Sequence, residues 1–527
     1  MTATISKNVT VATPRAEVIT YRSKLQVVQD LMGGQDAMRE AGSRYIPQYV
    51  GEPEAKWKAR VQGATLLNAY ERTLAYLCGQ VYSKDLRLQG EGGNEKDAKL
   101  GAFTDLAENI DGEGNSISVW SKRGFHKAMN EGWGILLADS AAVKIRNVDG
   151  GGREYLAGKD EAGEEDWRTL NAATEPEAGL RPKLVYIRAE NVIGWRFKMV
   201  GGAKKLVMLR IMEAEKVEGK WDAGDKEIPQ VRVLTPGHWE THRQEGDDKD
   251  NWVKVGEGDL PTPNDIPVAI VRLGKPLDDE MTCEPALRAL ADKNIEHWQK
   301  QAEHNQLMTW VRSPGMVATG VPDDTNLPWG AGVLTKLSDP QGSIQAMGID
   351  APSVAASRQE LEDLKRDMAL FGMQLLMPRT GDVTATEKAI NTGENDSTLK
   401  GWAMEWKDAL EQALVWLAAF IREKVKAPSV VINTEYRPPL DNASVANELS
   451  EARQRGDISR ETWWEIQVKA GVLPDDFDFA EERARLEADA RQQTGPSGAG
   501  GLADKILGAG GSTTSGQSNQ DRQGQAA

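Results

Sequence analysis

Cysteine is almost missing from this sequence. Only Cys78 and Cys283 occur, each inside a helix-periodic apolar stretch. Two thiols in such settings read as buried free cysteines rather than a disulfide or a metal site, and a reducing cytosol suits them. No run of eighteen apolar residues occurs, so no segment reads as a membrane-spanning helix. The opening MTATISKNVTVATPRAEV lacks the apolar centre of a signal peptide, and the chain is expected to stay in the compartment where it is made. There is no GxxxxGK[ST] phosphate loop, which disfavours a packaging ATPase. Gly33 with Gly34, and Gly150 to Gly152, lack the strand-to-helix setting of a dinucleotide fold and read as turns.

Positive charge is also short. With 64 Lys and Arg against 80 Asp and Glu, the net charge is −16, which argues against a protein that grips nucleic acid, since phosphate neutralisation supplies most non-specific affinity. The same acidity also serves plain solubility. Catalytic signals are weak. His297 and His304 lie seven apart beside Glu296 and Glu303, but seven helical residues separate two side chains by about 10 Å along the axis, too far for one ion. Acid pairs such as Asp323 with Asp324 are commonplace here, and nothing sets a nucleophile beside a base. No catalytic, cofactor or metal residue is expected.

What the chain does contain is long helical patterning. In CEPALRALADKNIEHWQKQAEHNQLMTWV, from Cys283, the residues Leu287, Leu290, Ala291, Ile295, Trp298, Ala302, Asn305 and Met308 share one helix face; Thr282 can cap it, with Pro285 in the first turn. A second run from Ser353 places Val354, Leu361, Leu364, Met368, Phe371 and Leu375 on one stripe. Between them, a Pro- and Gly-rich insert has short strand-like runs at Met316 to Ala318 and at Val333 and Leu334, so it reads as a compact cap joining two antiparallel rods. Then comes MPRTGDVTATEK, with Thr384 and Glu387 as a capping box, and a long helical pattern to about Lys426 carrying Leu399, Trp402, Met404, Trp406, Leu410, Leu414, Leu417 and Ile421. Gly393 and Gly401 predict a bend in it.

Elsewhere the pattern predicts a polar stretch over residues 1–60, one helix from Val61 to Tyr82, an acidic loop from Glu91 to Gly114 and a helix from Ile117 to Glu131, after which WGILLADSAAVKI has strand character. Strands are predicted at Lys183 to Ile187, Val192 to Phe197, Leu206 to Ile211, Gln230 to Leu234, Trp252 to Val255 and Pro267 to Leu273, with loops at Asp149 to Asp166 and Gln244 to Asp250. Val430 to Asn433 is expected to return a strand to this β-rich region. Short helices broken at Gly456 and Gly471 follow, where one of the adjacent Trp463 and Trp464 packs inward and the other outward. The Gly-, Ser- and Gln-rich residues 495–527 are expected to be disordered. The fold class is α+β.

The order of long helix, small insert, second helix, short loop and long helix resembles the stem, clip, stem, tunnel loop and wing helix of tailed-bacteriophage portal proteins. The stretches RYIPQYVGEPEAKWKARVQGATLLNAYERTLAYLCGQVYSK and GDISRETWWEIQVKAGVLPDDFD are similar to phrases of one portal family. The resemblance implies an N-terminal helical and β-rich wing over 1–282, a first stem helix over 283–311, a clip over 312–352, a second stem helix over 353–376, a tunnel loop over 377–386, a kinked wing helix and return strand over 387–441, a helical crown over 442–494 and a tail beyond. It implies a homo-oligomer of twelve at one capsid vertex of a virion assembled in the host cytoplasm. The implied partners are major capsid and scaffolding proteins, terminase, a head-tail adaptor and double-stranded DNA passing without sequence preference. Twelve helices each about 10 Å wide would enclose a bore of roughly 28 Å, enough for duplex DNA. By themselves the loop residues describe an exposed helix-to-helix turn. On the resemblance, Arg379 offers a phosphate contact offset by Asp382, Thr380, Thr384 and Thr386 offer neutral hydroxyls, and Gly381 gives freedom to move. The alternatives are an α+β scaffold or adaptor without a channel, and a cryptic hydrolase in the β-rich half.

Overall fold

The computed structural model describes residues 9–90, 102–140, 145–148, 152–159, 164–169, 181–217, 224–246, 250–320, 340–372, 385–421, 426–434, 436, 451, 453–456, 458–469 and 477–493. The chain divides into two units, Met1–Tyr436 and Arg437–Ala527. Helices and antiparallel strands are mixed, as an α+β class requires.

The first unit opens with α1 (Ala16–Met32) and α2 (Gly34–Ala41), where only a polar stretch was expected. Val18, Tyr21, Leu25, Val28 and Leu31 fall on one buried stripe of α1, so its scattered apolar residues form a core face. The single helix expected from Val61 to Tyr82 is instead α3 (Glu54–Gly63) and α4 (Ala69–Val81). Asn68 ends the connection: its side-chain oxygen accepts from the Glu71 backbone N–H at 3.3 Å, an N-cap that starts a new helix. After β1 (Arg87–Gln89) comes α5 (Ala102–Glu108), within the expected acidic loop, and then α6 (Ile117–Glu131), as predicted.

Beyond α6 the chain turns to β2 (Trp133–Asp139), β3 (Ile145–Val148), β4 (Gly152–Lys159), β5 (Glu165–Thr169), β6 (Lys183–Arg188), β7 (Val192–Val200), β8 (Ala203–Val217), β9 (Lys226–Thr235), β10 (His238–Gln244), β11 (Trp252–Asp259) and β12 (Val268–Arg272). The predicted strands are all present. β3, β4, β5 and β10 lie where none was expected; of these, β4 occupies the Asp149 to Asp166 loop and β10 is the polar HWETHRQ. Both owe their conformation to backbone pairing with two neighbours rather than to apolar alternation. Strands β7 to β11 form one antiparallel meander, β3 to β5 a second sheet, and β12, β2 and β6 a third with β2 in the centre.

The rods follow as α7 (Arg288–Arg312), β13 (Gly315–Thr319), β14 (Ser343–Met347), α8 (Ala351–Leu370) and α9 (Ala385–Phe420), and β15 (Ser429–Val431) closes the unit. The return strand β15 pairs with β1 and not with the β-rich sheets, because Arg87 to Gln89 offers it an unpaired edge. Helix α9 runs unbroken through Gly393 and Gly401, so the expected bend does not interrupt it. From Leu399 onward a continuous buried stripe, Ala403, Trp406, Leu410, Ala413, Leu414 and Leu417, holds it to the core; Met404, expected in that stripe, is exposed. In the second unit lie α10 (Arg460–Lys469) and α11 (Phe479–Gln493), with Trp464 buried, stacked on Phe479 and edge-on to Phe477, while Trp463 is half-buried. Val333, Leu334, Gly471 and residues 495–527 lie outside the described residues.

Aromatic side chains organise the first unit's core. Trp406 of α9 stands over Gly124 of α6, where a Cβ would come within 2.6 Å of its ring, and donates Nε1–H to Ser121 Oγ at 2.7 Å. Trp133 packs edge-on against Tyr21 and Trp195, at 5.5 and 6.1 Å between ring centres. At the end of α6, the buried Glu131 carboxylate accepts from Arg188 Nε at 2.6 Å and from the Ala189 N–H at 2.8 Å. Burial pushes that carboxyl up, and Arg188 opposes the push.

The α6–β2 turn also sets the base of α7. Gly132 has φ +81°, and its carbonyl accepts from the Leu273 and Gly274 N–H groups at 2.8 and 2.7 Å. A Cβ on Gly132 would meet the Glu284 carbonyl oxygen at 2.1 Å, and one on Gly274 would meet it at 1.6 Å. The segment before α7 thus lies directly on two glycines. That contact corrects the expected start of the helix. Thr282 does not cap it; its hydroxyl and N–H bond to the Asp279 carboxylate, and α7 begins at Arg288 after a Leu287 that makes no side-chain cap. Gly132→Ala should therefore cost more than about 2 kcal/mol, from left-handed strain plus the clash. Gly79→Ala, in open space on α4, should be neutral or gain up to about 1 kcal/mol. Urea denaturation of both variants checks this contrast.

Candidate functional site

Helices α7 and α8 form an antiparallel pair whose register is fixed by side chains one heptad apart. Lys293 Nζ lies 3.7 Å from Asp367, Lys300 Nζ lies 3.4 Å from Glu360, and His304 Nδ1 is 3.0 Å from Ser357 Oγ. At about 1.5 Å per residue α7 is roughly 37 Å long. Beyond it, β13 and β14 continue the same register, from Gly315 opposite Met347 to Thr319 opposite Ser343.

Burial along the pair is graded. On α7 the buried residues are Leu290, Ala291, Asn294, Ile295, His297, Trp298 and Ala302, all in its first fifteen positions. On α8 they are Leu361, Leu364, Met368 and Ala369, all in its second half. Because the helices are antiparallel, these two halves meet at one end. The base is packed and the tip is not. At the tip Trp310 is 42% exposed and Met347 59%, with Val311, Met316 and Val317 also exposed. Of the predicted stripes, Asn305, Met308 and Val354 are only half-buried, Phe371 is exposed at the end of α8, and Leu375 lies outside the described residues. The stripes weaken toward the tip because this unit offers them little to pack against there.

Polar clasps hold the base and middle of α7 to the N-terminal helices. Asn294 Oδ1 accepts from the Tyr70 N–H at 2.9 Å and its Nδ2 donates to the Leu67 carbonyl at 2.9 Å, fixing α7 to the α3–α4 connection. Farther out, Asn305 Nδ2 donates to the Gly63 carbonyl at 2.8 Å. Beside this clasp lies a cavity of about 400 Å³ between α3 and the outer half of α7, walled by Arg60, Asn305, Thr309, Trp310 and Gly315. Its Arg60 is committed to structure: the guanidinium grips the Glu52 carboxylate at 2.6 and 3.1 Å, donates to the Pro47 carbonyl at 2.8 Å and lies 4.0 Å from the centre of the Tyr49 ring.

The histidines weighed as metal ligands do not converge. His297 is buried, and neither of its ring nitrogens has a hydrogen-bond partner among the described residues; His304 is held by Ser357. Glu296 and Glu303 bind Lys293 and Lys300. Cys78 and Cys283 are free and buried, as the sequence indicates, and burial pushes both thiols up to about 11. Of the loop residues proposed to meet DNA, Arg379, Thr380, Gly381 and Thr384 lie outside the described residues, and Thr386 sits on the first turn of α9 without a described side chain. The sequence reading missed the apolar tip. Its signal was Trp310 and Val311 at the end of the helix, close to GMVAT in the hairpin.

The family model described as a domain of unknown function, DUF4055, matches residues 286–421, the span from the base of α7 to the end of α9. No curated protein matches the chain. Among solved structures it is similar to a chain of one described as "Neck of empty GTA particle computed with C6 symmetry", with TM-score 0.41, 14% identity and coverage of 77% of this chain and 90% of the other. It is similar also to a chain of "Neck of native GTA particle computed with C12 symmetry", with TM-score 0.37, 12% identity and the same coverage. Both likenesses are distant.

The seam of the rod pair is pH-sensitive through His297. Burial, with Lys365 nearby, lowers its pKa to about 4, against an ordinary value near 6.5. On acidification the unfolded chain takes up this proton first, so the contribution is full above about pH 6.5 and is lost progressively toward pH 4. The urea midpoint of the parent should fall over that interval more steeply than that of His297→Leu, by up to one proton's worth of slope. Parallel curves for the two proteins would show that His297 takes up its proton over the same pH range folded and unfolded.

Proposed function

We propose that this chain is a non-enzymatic, ring-forming portal subunit of a phage-like particle, a channel at one capsid vertex for DNA packaging, retention and release. One observation carries the reading: the α7–α8 pair is packed at its base and bare at its tip. An apolar side chain left in water forgoes about 1.5–3 kcal/mol of burial, and clustered exposed apolar groups mark interaction surfaces. Neighbouring copies supply the missing cover if rod pairs stand side by side in a ring. The order of long helix, two-stranded insert, antiparallel helix and long helix supports the same reading, through its resemblance to stem, clip, stem and wing helix.

On this reading the copies number twelve, the insert is the tail-side contact for an adaptor, and capsid, scaffolding and terminase proteins meet other faces. The proposal gives residues 377–386 the part of a bore loop, in which Arg379 and the threonines would touch the DNA backbone weakly enough for it to slide. The acidic net charge suits a conduit that does not grip its cargo. A second reading, a scaffold or adaptor without a channel, draws on the same bare tip covered by a different protein.

Native mass spectrometry of the purified chain distinguishes the two. A portal gives a closed high-order oligomer, and Trp310→Asp, with an unchanged circular dichroism spectrum, shifts it toward monomers by tenfold or more in concentration. Monomers or dimers alone from the parent sink the ring. Deleting Gly381 to Val383 should leave the oligomer intact while a particle carrying it packages or retains less DNA.

A further inference from the structure

Strands β10 and β11 carry a cluster of chemistry unrelated to the rods. His238, Glu240 and His242 alternate along β10 and so begin on one face. Across the ladder His238 stands opposite Asp259, and Glu240 opposite Glu257. Two carboxylates directly opposite each other are destabilising unless a cation lies between them. Here the ammonium of Lys254 does so, 3.0 Å from Glu240 Oε1 and in contact with Glu257 Oε2. Lys254 and then His242 hold the Glu240 carboxyl below its ordinary range.

His238 aims at the same place. Its Nε2 lies 3.8 Å from Glu240 Oε1 and 3.7 Å from Glu257 Oε2, the two oxygens that also hold Lys254. Its Nδ1 faces Asp259 Oδ1 at 3.4 Å. A carboxylate at Nδ1 favours the tautomer protonated there, which leaves the Nε2 lone pair pointed at the carboxylate pair, the usual outer arrangement of a metal-binding histidine. His242 Nε2, 3.2 Å from Glu240 Oε2, steadies the other oxygen of that carboxylate. One donor atom each from His238, Glu240 and Glu257 falls within a span of 4.8 Å. In a tetrahedral zinc site with bonds of about 2.0–2.1 Å, donor atoms lie roughly 3.4 Å apart, so side-chain movements on the order of 1 Å close the set.

We propose that His238, Glu240 and Glu257 form a binding site for a zinc-type divalent metal ion, which displaces the Lys254 ammonium and is completed by water. Asp259 and His242 are positioning residues. An imidazole with two carboxylates suits zinc better than magnesium, which prefers all-oxygen ligands and keeps its waters. Lys254, with a flexible stem at the surface, swings out to solvent, so the site exchanges a tethered monovalent cation for a divalent one. The bound ion would staple β11, the edge strand of the meander, to β10.

Titration of the full-length chain with zinc chloride against a chromophoric chelator tests this. One zinc ion per chain should bind at micromolar concentration or tighter. His238→Ala and Glu257→Gln should each weaken binding by at least tenfold, while Lys254→Met should tighten it severalfold and magnesium chloride at millimolar concentration should not compete. The Lys254→Met arm separates the alternatives, because a plain ion network only loses a partner there and gains no affinity. Zinc binding by His238→Ala equal to the parent, or no binding below millimolar by either the parent or Lys254→Met, would overturn the proposal.

Discussion

The backbone seam where Glu284 and Pro285 lie on Gly132 and Gly274 is the constraint on which the rest of this molecule depends. Two glycines let one strand of backbone touch another with no side chain between them. Both glycines belong to the central-sheet region: Gly132 precedes β2, and Gly274 follows β12. The seam therefore fixes where α7 leaves the sheet. Lys24 pairs with the Glu284 carboxylate and Arg288 donates to the Lys24 carbonyl, so α1 is tied to the same point. Everything that α7 later carries, the hairpin and the return helix α8, inherits its direction from this junction.

From that junction outward, packing decays. Near the base Trp298 and Leu290 are fully enclosed, and Asn294 has both ends of its amide satisfied by backbone. Fifteen residues on, Thr309 to Arg312 are exposed, and the first ten residues of α8 bury no side chain. A helix pair of this kind holds its register through heptad-spaced charge pairs, each partly exposed and individually worth little. Lateral neighbours would add the apolar cover that Trp310, Val311 and Met347 lack, which is the observation behind the proposed assembly.

Much of this was legible in the sequence where local pattern and tertiary packing agree. The helix from Ile117 to Glu131 has a serine cap before it and a glycine after it, and its bounds are those of the periodicity. The base stripe of α7 and the apolar strands β6 to β9 were legible for the same reason. The misses have physical causes. Helix α1 hides its five core residues among charges, and the break before α4 rests on one asparagine. Helix α7 starts late because Glu284 is held by backbone contacts to Gly274 and Lys275 and to the distant Gly132, which no local rule reports. Strand β10 is polar along its whole length and exists through its pairing. The bare tip was hidden by a stripe that reads as continuous; periodicity says which face is apolar, not where along a rod cover runs out. The loop residues Arg379 to Thr384 rest on the resemblance alone, since they fall outside the described residues.

The most direct measurement is a single-particle reconstruction of the assembled chain. If copies complete one another, it shows a closed ring in which Trp310, Val311, Met316 and Met347 of each copy are covered by the adjacent copy, with rod bases packed as they are within one chain. Separate monomers, or an assembly in which the tip of every α7–α8 pair stands in solvent, would contradict it.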